Sequence, residues 1–303
     1  MANQTKMLKY ALRILPDSIY LKLYYFTKFK RPLNLKNPKS FNEKLQWLKL
    51  NDRNPLYTVL VDKIEAKKYV ANIIGEEYII PTLGEWNDPD KIILEQLPDQ
   101  FVLKCNHGSG DVFICKDKST FDFESAKKKL KKLLKEDYYL VGREWPYRDV
   151  NRKVFAEKYI QNTTNTESHG TKSTDYSELS DYKFMCFNGN MRCSFVCTER
   201  YSPSGLKVTF FDRDWNELPF ERTYPRSEKR IQCPENYEKM VNLAEILSQN
   251  ISFVRVDFYE SDGKIYFGEL TFYPGCGFEK FNPDEWDYNL GDWIDLSKGV
   301  YHE

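Results

Sequence analysis

The sequence predicts an α+β protein of two lobes behind a helical N-terminal segment, and three observations lead there. Apolar residues recur at three- and four-residue spacing up to Gly75, and short β-rich runs take over after Pro81. A Thr/Ser/Asn/Gly-rich stretch from Gln161 to Ser180 then separates two groups of such runs. At 303 residues the chain suits two domains, or one domain built from two lobes, at about 150 residues each. The boundaries that follow are 1–58 for a helical extension with a basic face, 59–165 for a smaller lobe, 166–180 for a linker or mobile loop, and 181–303 for a larger lobe.

Composition excludes several classes. Lys plus Arg and Asp plus Glu both number 45, so no global field draws the chain to nucleic acid. Charged residues are 30% and hydrophobic residues 41%, which describes a soluble chain with a core rather than a disordered one. No apolar run approaches the ~18 residues of a membrane span, and no signal-peptide pattern opens the chain. It reads as cytoplasmic, with the inner membrane surface as the alternative for its basic N-terminus. The seven cysteines contain no C-x-x-C pair, so neither a disulfide framework nor a zinc site is indicated. His107, His169 and His302 lie in no triad-like motif, which disfavours hydrolysis through an imidazole base.

The elements follow in order. Between Met1 and Ser40, Lys6, Lys9, Arg13, Lys22, Lys28, Lys30, Arg31, Lys36 and Lys39 are opposed only by Asp17. Leu8, Leu12 and Leu15, then Ile19, Leu23 and Phe26, predict two short amphipathic helices separated at Pro16-Asp17-Ser18. Two readings stand: a packed helical cap with a solvated basic face, or a patch that meets anionic lipid or an acidic polymer. Ser40-Phe41-Asn42-Glu43 has capping-box spacing and starts a helix that ends in turn chemistry at Asn51 to Pro55. One more helix is expected from Tyr57 to Ile74, closed by a left-handed Gly75. Strands are predicted at Phe101 to Cys105, Asp111 to Lys116 and Val154 to Ile160, with a lysine-rich helix between Phe123 and Tyr139 that reads as a solvated face. In the larger lobe, Tyr182 to Phe187 and Met191 to Thr198 form a hairpin through Asn188-Gly189. A helix spans Glu235 to Gln249, and Ser252 to Tyr259 pairs with Lys264 to Tyr273.

Four stations carry chemistry. Lys104 ends a strand before Asn106-His107-Gly108-Ser109-Gly110, where two glycines let amides approach an anion; a plain hairpin turn is the alternative. Lys63 is a second cation, indistinguishable alone from a surface lysine. Glu157, Lys158, Tyr159 and Ile160 close a strand that either crosses between lobes with exposed peptide groups or is an ordinary edge strand. The fourth is Arg255-Val256-Asp257 with Glu269-Leu270-Thr271. A two-residue Asp262-Gly263 loop would pair Asp257 with Gly268 and turn Glu269 away. A three-residue Ser261-Asp262-Gly263 loop with a bulge at Gly263 pairs Arg255 with Glu269 and gathers the polar groups, leaving Val254, Val256, Phe258, Leu270 and Phe272 opposite. The alternation favours the latter. Two carboxylates and a hydroxyl then suit a hard cation such as Mg²⁺, and the arginine suits a transferring phosphoryl group. An internally neutralised ion network remains the alternative.

Taken together in this order, the stations resemble the ATP-grasp superfamily, and more closely its teichuronopeptide-biosynthesis, TupA-like branch. The resemblance runs from Ser40-Phe41-Asn42-Glu43-Lys44 through Asp62-Lys63, Phe101 to Gly110, Glu157 to Ile160, Asp181-Tyr182-Lys183 with Asn188-Gly189, and Asp257 to Pro274. It implies two α+β lobes that sandwich ATP and activate a carboxylate as an acylphosphate for capture by an amine. Lys63 and Lys104 correspond to phosphate-contacting lysines, and His107, Gly108, Ser109 and Gly110 to a phosphate lid. Glu157, Lys158, Tyr159 and Ile160 correspond to the adenine-reading hinge, and Asp181 and Lys183 to ribose or phosphate contacts. Asp257, Glu269 and Thr271 correspond to the Mg²⁺ ligands, with Thr271 where many relatives carry asparagine. Arg255, with Lys104, is the catalytic expectation. The branch implies a carboxylate-bearing saccharide or peptide acceptor, uronic acid included, of a cell-surface polysaccharide or its precursor, joined to an amino acid or amine. Other readings are a non-catalytic ATP-binding scaffold, a sugar kinase and a glycosyltransferase.

Overall fold

The computed structural model describes residues 12–110, 112–161, 180–199, 202–203 and 205–301. Leu8, His169, His302 and most of the predicted 166–180 linker lie outside them.

Helix α1 (Asp17–Phe29) follows a short turn at Leu12–Ile14 and ends in a left-handed Lys30. The predicted face is inverted. Ile19, Leu23 and Phe26 are exposed, whereas Tyr20, Leu21 and Tyr25 are buried with Leu33 and Phe278. The tyrosines supply the packing face because Phe278, about 250 residues away in the chain, sets which side of the helix finds a partner; local spacing carries no such information. Helix α2 (Phe41–Asn51) opens on the expected capping box: Ser40 Oγ accepts from the Glu43 amide, and Glu43 accepts from the Ser40 amide at 3.2 Å. The same carboxylate accepts from the Lys39 amide at 2.8 Å, so one side chain fixes the chain's entry angle.

The predicted 57–74 helix is two helices, α3 (Leu56–Val61) and α4 (Lys63–Ile74), broken at Asp62. Asp62 adopts an extended ψ of 111° and caps α4, its Oδ1 accepting from the Ile64 amide at 2.9 Å. Its other oxygen accepts from Asn106 Nδ2 at 2.8 Å, a long-range bond that makes the break worthwhile. Gly75 does have a positive φ of 116°, but its ψ of 150° is extended rather than left-handed helical.

The smaller sheet has the order β1-β4-β2-β3, all antiparallel, from β1 (Thr82–Trp86), β2 (Phe101–Cys105), β3 (Val112–Cys115) and β4 (Val154–Lys158). Its core of Phe101, Leu103, Val154 and Ala156 is joined by Leu130 of helix α5 (Phe123–Leu134). Strand β1 has no clear alternation, which hid it from pattern reading. A one-turn helix α6 (Tyr139–Gly142) precedes β4.

The larger sheet has the antiparallel order β10-β9-β5-β6-β7. It is built from β5 (Ser180–Phe187), β6 (Asn190–Thr198), β7 (Lys207–Asp212), β9 (Phe253–Ser261) and β10 (Lys264–Thr271), and a two-strand ribbon pairs β8 (Glu221–Arg222) with β11 (Phe281–Asn282). Helix α7 (Tyr237–Leu247) covers one face: the Phe184 and Tyr237 rings lie 5.9 Å apart, and Cys186 Sγ lies 3.7 Å from Ala244 O. Helix α2 serves the opposite face, where the Phe41 and Phe253 rings meet edge to face at 4.9 Å. Helix α8 (Glu285–Asp292) crosses α2 so closely that a Cβ on Gly291 would sit 2.1 Å from Lys39 O. All seven cysteines are free thiols, and no helix among the described residues is long and apolar enough to cross a membrane.

Ser40 is fully buried, so Ser40→Ala removes a cap without a water to replace it. The expected loss is about 1 kcal/mol of folding stability, read as a lower urea midpoint with an unchanged slope. An unaltered midpoint would show that the cap contributes nothing.

Candidate functional site

Parity brings the acidic and basic groups of β9 and β10 to one face, by a different route from the predicted one. The turn is the two-residue Asp262-Gly263 loop, both with positive φ (50° and 72°), and Ser261 pairs with Lys264. The bulge lies at Gly268 instead, between Phe267↔Phe258 and Glu269↔Asp257. That extra residue returns Glu269 to the face of Asp257 and sets Thr271 opposite Arg255, so the predicted Arg255–Glu269 register is replaced while the gathering survives. A Cβ on Gly268 would stand 3.1 Å from Asp257 O and from the Tyr259 ring, which is why the bulge carries a glycine. Val254, Val256, Phe258, Leu270 and Phe272 are buried as expected.

On the gathered face Arg255 grips Asp257 with Nε at 2.6 Å and Nη2 at 2.7 Å, and the same Nη2 donates to Glu269 at 2.9 Å. Lys183 stands opposite Asp257 in the β5–β9 register, donating to it at 2.5 Å and to Asp181 at 2.8 Å. Thr271 Oγ1 lies 3.4 Å from Glu269. Lys63 closes the cluster from helix α4, reaching Glu269 at 3.0 Å and Gly108 O at 3.0 Å. Three cations thus balance three carboxylates in a largely desolvated place. Burial alone would raise the Glu269 carboxyl, but Lys63, Arg255 and Lys183 outweigh it and hold it well below the usual carboxylate range. Burial would likewise lower Lys183, and Asp181 and Asp257 overturn that and raise it. Asp257, buried beside two other acids, is pushed up by burial against the pull of Arg255 and Lys183.

A second cluster forms on the smaller sheet. Lys104 pairs not with Glu269, as Lys63 does, but with Glu157, which Lys67 also meets at 2.5 Å. Burial opposes the charge on Glu157, and the two lysines more than compensate, leaving its carboxyl below the usual range. Burial pushes Lys67 down despite that carboxylate. The ammonium form still fits the geometry, since Ile80 O at 2.7 Å, Thr82 Oγ1 at 3.2 Å and Glu157 all accept from it. Burial pushes the Tyr259 phenol up, and the acids of both clusters, Asp181, Glu269, Asp257 and Glu157, add to it.

The glycine loop divides. Ser109 and Gly110 are exposed at its tip, while His107 is only 5% exposed, its imidazole lowered chiefly by burial. Gly108 (φ 95°) and Gly110 (φ 93°) both use glycine's freedom. The edge-strand alternative for this segment does not hold: β4 lies between β1 and β2, and the Lys158 amide donates to Pro81 O at 3.0 Å. That amide is therefore taken within the protein. Tyr159 and Ile160 follow the strand, half-buried.

Sequence reasoning missed Lys67 and Asn106. Lys67 lies one helical turn after Lys63, a spacing that puts both on one stripe. Asn106 is fully buried and bonds Asp62, Asn151 O at 2.9 Å and the Lys153 amide at 2.7 Å. With the Lys63 amide donating to Asn106 O at 3.0 Å, it fixes the loop beside the start of α4.

This ordered set of stations matches a known family, described as TupA-like ATPgrasp, over residues 43–295. The chain belongs to the TupA-like ATP-grasp family. No curated protein matches it significantly. D-alanine–D-alanine ligase from Bacillus anthracis is similar at 17% identity and a TM-score of 0.41, over 82% of this chain and 70% of that one. The same ligase complexed with ATP gives 16% and 0.42, over 80% and 66%. The ATP-grasp ligase PsnB, complexed with minimal precursor, Mg and ADP, gives 9% and 0.39, over 76% and 57%. The chain spans from over half to seven-tenths of the length of these structures. Family membership supports an ATP-dependent ligase in general terms.

In this ATP-grasp protein the donor set fits Mg²⁺. Asp257 and Glu269 are hard oxygen donors in direct register, and Mg²⁺ takes one or two protein carboxylates with water and phosphate completing its shell. Glu269, with 29% of its side chain exposed against 2% for Asp257, is the more accessible of the two carboxylates.

Because Glu157 has a lowered carboxyl in the fold, its contribution is complete above the unfolded value of about 4.5 and lost as pH falls through the folded one. Glu157→Gln strands Lys67 and Lys104 in a buried place, so neutral-pH stability should fall by about 3–5 kcal/mol. Urea titrations across the acid range should also show a shallower pH dependence than wild type. An identical acid limb in both proteins would refute the role assigned to this carboxylate.

Proposed function

We propose that this chain is an ATP-dependent carboxylate–amine ligase working through an acylphosphate. Its acceptor is a uronic acid or acidic group of a cell-surface polysaccharide or its precursor, joined to an amino acid or amine. The observation that carries the reading is the meeting of Lys63, from the helix between the sheets, with Glu269 on the face that also presents Arg255, Asp257 and Lys183. A neutral cluster of that kind exchanges partners on binding a polyanion: phosphate oxygens take the Lys63 ammonium and the outward N–H groups of an Arg255 that stays on Asp257, and a divalent ion takes the Glu269 oxygen that Lys63 leaves.

In the reaction, an oxygen of the substrate carboxylate attacks the γ-phosphorus and the bond to the ADP oxygen breaks. The amine nitrogen then attacks the acyl carbon, phosphate leaves, and the nitrogen loses its proton. Mg²⁺, held by Asp257 and Glu269 with Thr271 beside them, would neutralise phosphate charge. Arg255, fixed by two bonds to Asp257, presents a cation that needs no reorganisation as charge grows on the transferred group. Lys63 and Lys104 supply phosphate contacts, Ser109 and Gly110 supply amides at the loop tip, and Tyr159 and Ile160 line the adenine side. The nucleotide site alone would serve a binding scaffold, but a guanidinium locked at the reacting phosphate favours turnover.

Incubation with Mg-ATP, a uronate acceptor, pooled amino acids and hydroxylamine should yield a hydroxamate. A sugar kinase would give a phosphorylated hydroxyl without hydroxamate, and a scaffold would bind nucleotide without hydrolysing it. Glu269→Gln should lower kcat by about a hundredfold or more while thermal unfolding stays cooperative. Wild-type turnover in that variant would remove Glu269 from the site.

A further inference from the structure

Among the described residues, nothing covers an apolar stripe on helix α1. Ile19, Leu23 and Phe26 follow one another at helical spacing and are 46%, 54% and 53% exposed, and Ile14, just before the helix, is 83% exposed. The helix is not loose. Its other side is anchored by Tyr20, Leu21 and Tyr25, all at most 1% exposed, and by Tyr24 edge to face with Phe278 at 4.7 Å. An anchored helix therefore presents three large apolar side chains on one outward stripe, with Ile14 exposed just before it, which exceeds the scattered exposure normal for a soluble chain.

The charges around the stripe are of one sign. Lys22 flanks it, Lys30 continues its line one turn beyond Phe26, and Arg13 precedes Ile14; all three are exposed. Asp17 is the single acid before Glu43, and it faces inward to Arg143, Arg148 and Tyr139 rather than toward the stripe. Arg31 is likewise used inward, on Asp284 at 2.7 Å and Asp287 at 2.9 Å. The outward surface is thus apolar at its centre and cationic around it.

We infer that this surface docks on an anionic lipid bilayer, with Ile14, Ile19, Leu23 and Phe26 entering the headgroup boundary and Arg13, Lys22 and Lys30 lying at the phosphates. Charge complementarity selects the occupant. A soluble acidic polymer would use the cations and leave the four apolar side chains in water, and a second copy of the same surface would set like charges against each other. An anionic interface satisfies both halves at once. The inference stands independently of the ligase reading, since none of these residues touches the Lys63, Lys183 and Arg255 cluster.

Cosedimentation of the full chain with vesicles tests it. Vesicles of equal parts phosphatidylcholine and phosphatidylglycerol should bind the protein, and phosphatidylcholine alone should bind far less. Leu23→Ser with Phe26→Ser should cut partitioning about tenfold or more, and Lys22→Gln with Lys30→Gln about fivefold for each charge removed. All four positions are exposed, and matched thermal melts confirm that the variants fold. Three results overturn the inference: absence of binding to the anionic vesicles, binding that survives the serine pair, or a dimer in sedimentation velocity that the serine pair dissolves. Binding to polygalacturonate that ignores the serine pair, with no vesicle binding, would assign the surface to an acidic polymer instead.

Discussion

Two lysines one turn apart on helix α4 hold the architecture of the site. Lys63 reaches Glu269 of the larger sheet and Lys67 reaches Glu157 of the smaller one. Side chains four residues apart lie on one stripe of a helix, so the helix can satisfy both carboxylates only if it runs between the two sheets at a fixed rotation. Glu157 is buried and Glu269 partly so, and an unpaired buried charge costs several kcal/mol. The ion pairs therefore act less as glue than as a constraint: any shift of α4 that lost one lysine would take from its carboxylate one of two cations. The break at Asp62 follows from the same constraint. A continuous helix would carry Lys63 in mid-helix, whereas the break lets its amide bond Asn106 O and its ammonium reach Gly108 O.

Parity imposes the second condition. A sheet with one apolar and one ionic face tolerates no one-residue slip, because Glu269 would exchange places with a residue packed beneath α7. The hairpin turn at Asp262-Gly263 by itself gives the wrong parity for Glu269, and the bulge at Gly268 corrects it. Alternation in the sequence announced that correction was needed without locating it. A bulge at the turn and a bulge beside the acid both restore the face, and only the near approach of Gly268 to Asp257 O and Tyr259 separates the two.

What was legible was therefore local. The Ser40 capping box, the Asn188-Gly189 hairpin and the apolar side of β9 and β10 each depend on residues within a few positions, and each is where the pattern puts it. The misread features depend on distant partners. Phe278 chooses the tyrosine face of α1, and Asn106 stabilises the break at Asp62. Lys63 and Lys104 meet different carboxylates for the same reason: Lys104 follows the alternation of β2 toward Glu157, its diagonal neighbour on β4, while Lys63 belongs to a helix whose aim is set by tertiary contact.

The two kinds of cation in the larger cluster differ in freedom, and that difference orders their response to an incoming anion. Arg255 is tied to Asp257 through two nitrogens and shares a third contact with Glu269, and its side chain is 11% exposed. Moving it would uncover Asp257, which is buried. Lys63 is held by one carboxylate and one carbonyl, on a flexible stem, at 17% exposure. Its carboxylate partner, Glu269, keeps Arg255 when Lys63 leaves. A polyanion entering the cluster therefore draws Lys63 away first, at the cost of a partly solvated pair, and finds Arg255 already in place. Because Lys63 also holds Gly108 O, the same exchange releases the base of the glycine loop, so anion arrival and loop position are coupled through a single ammonium group.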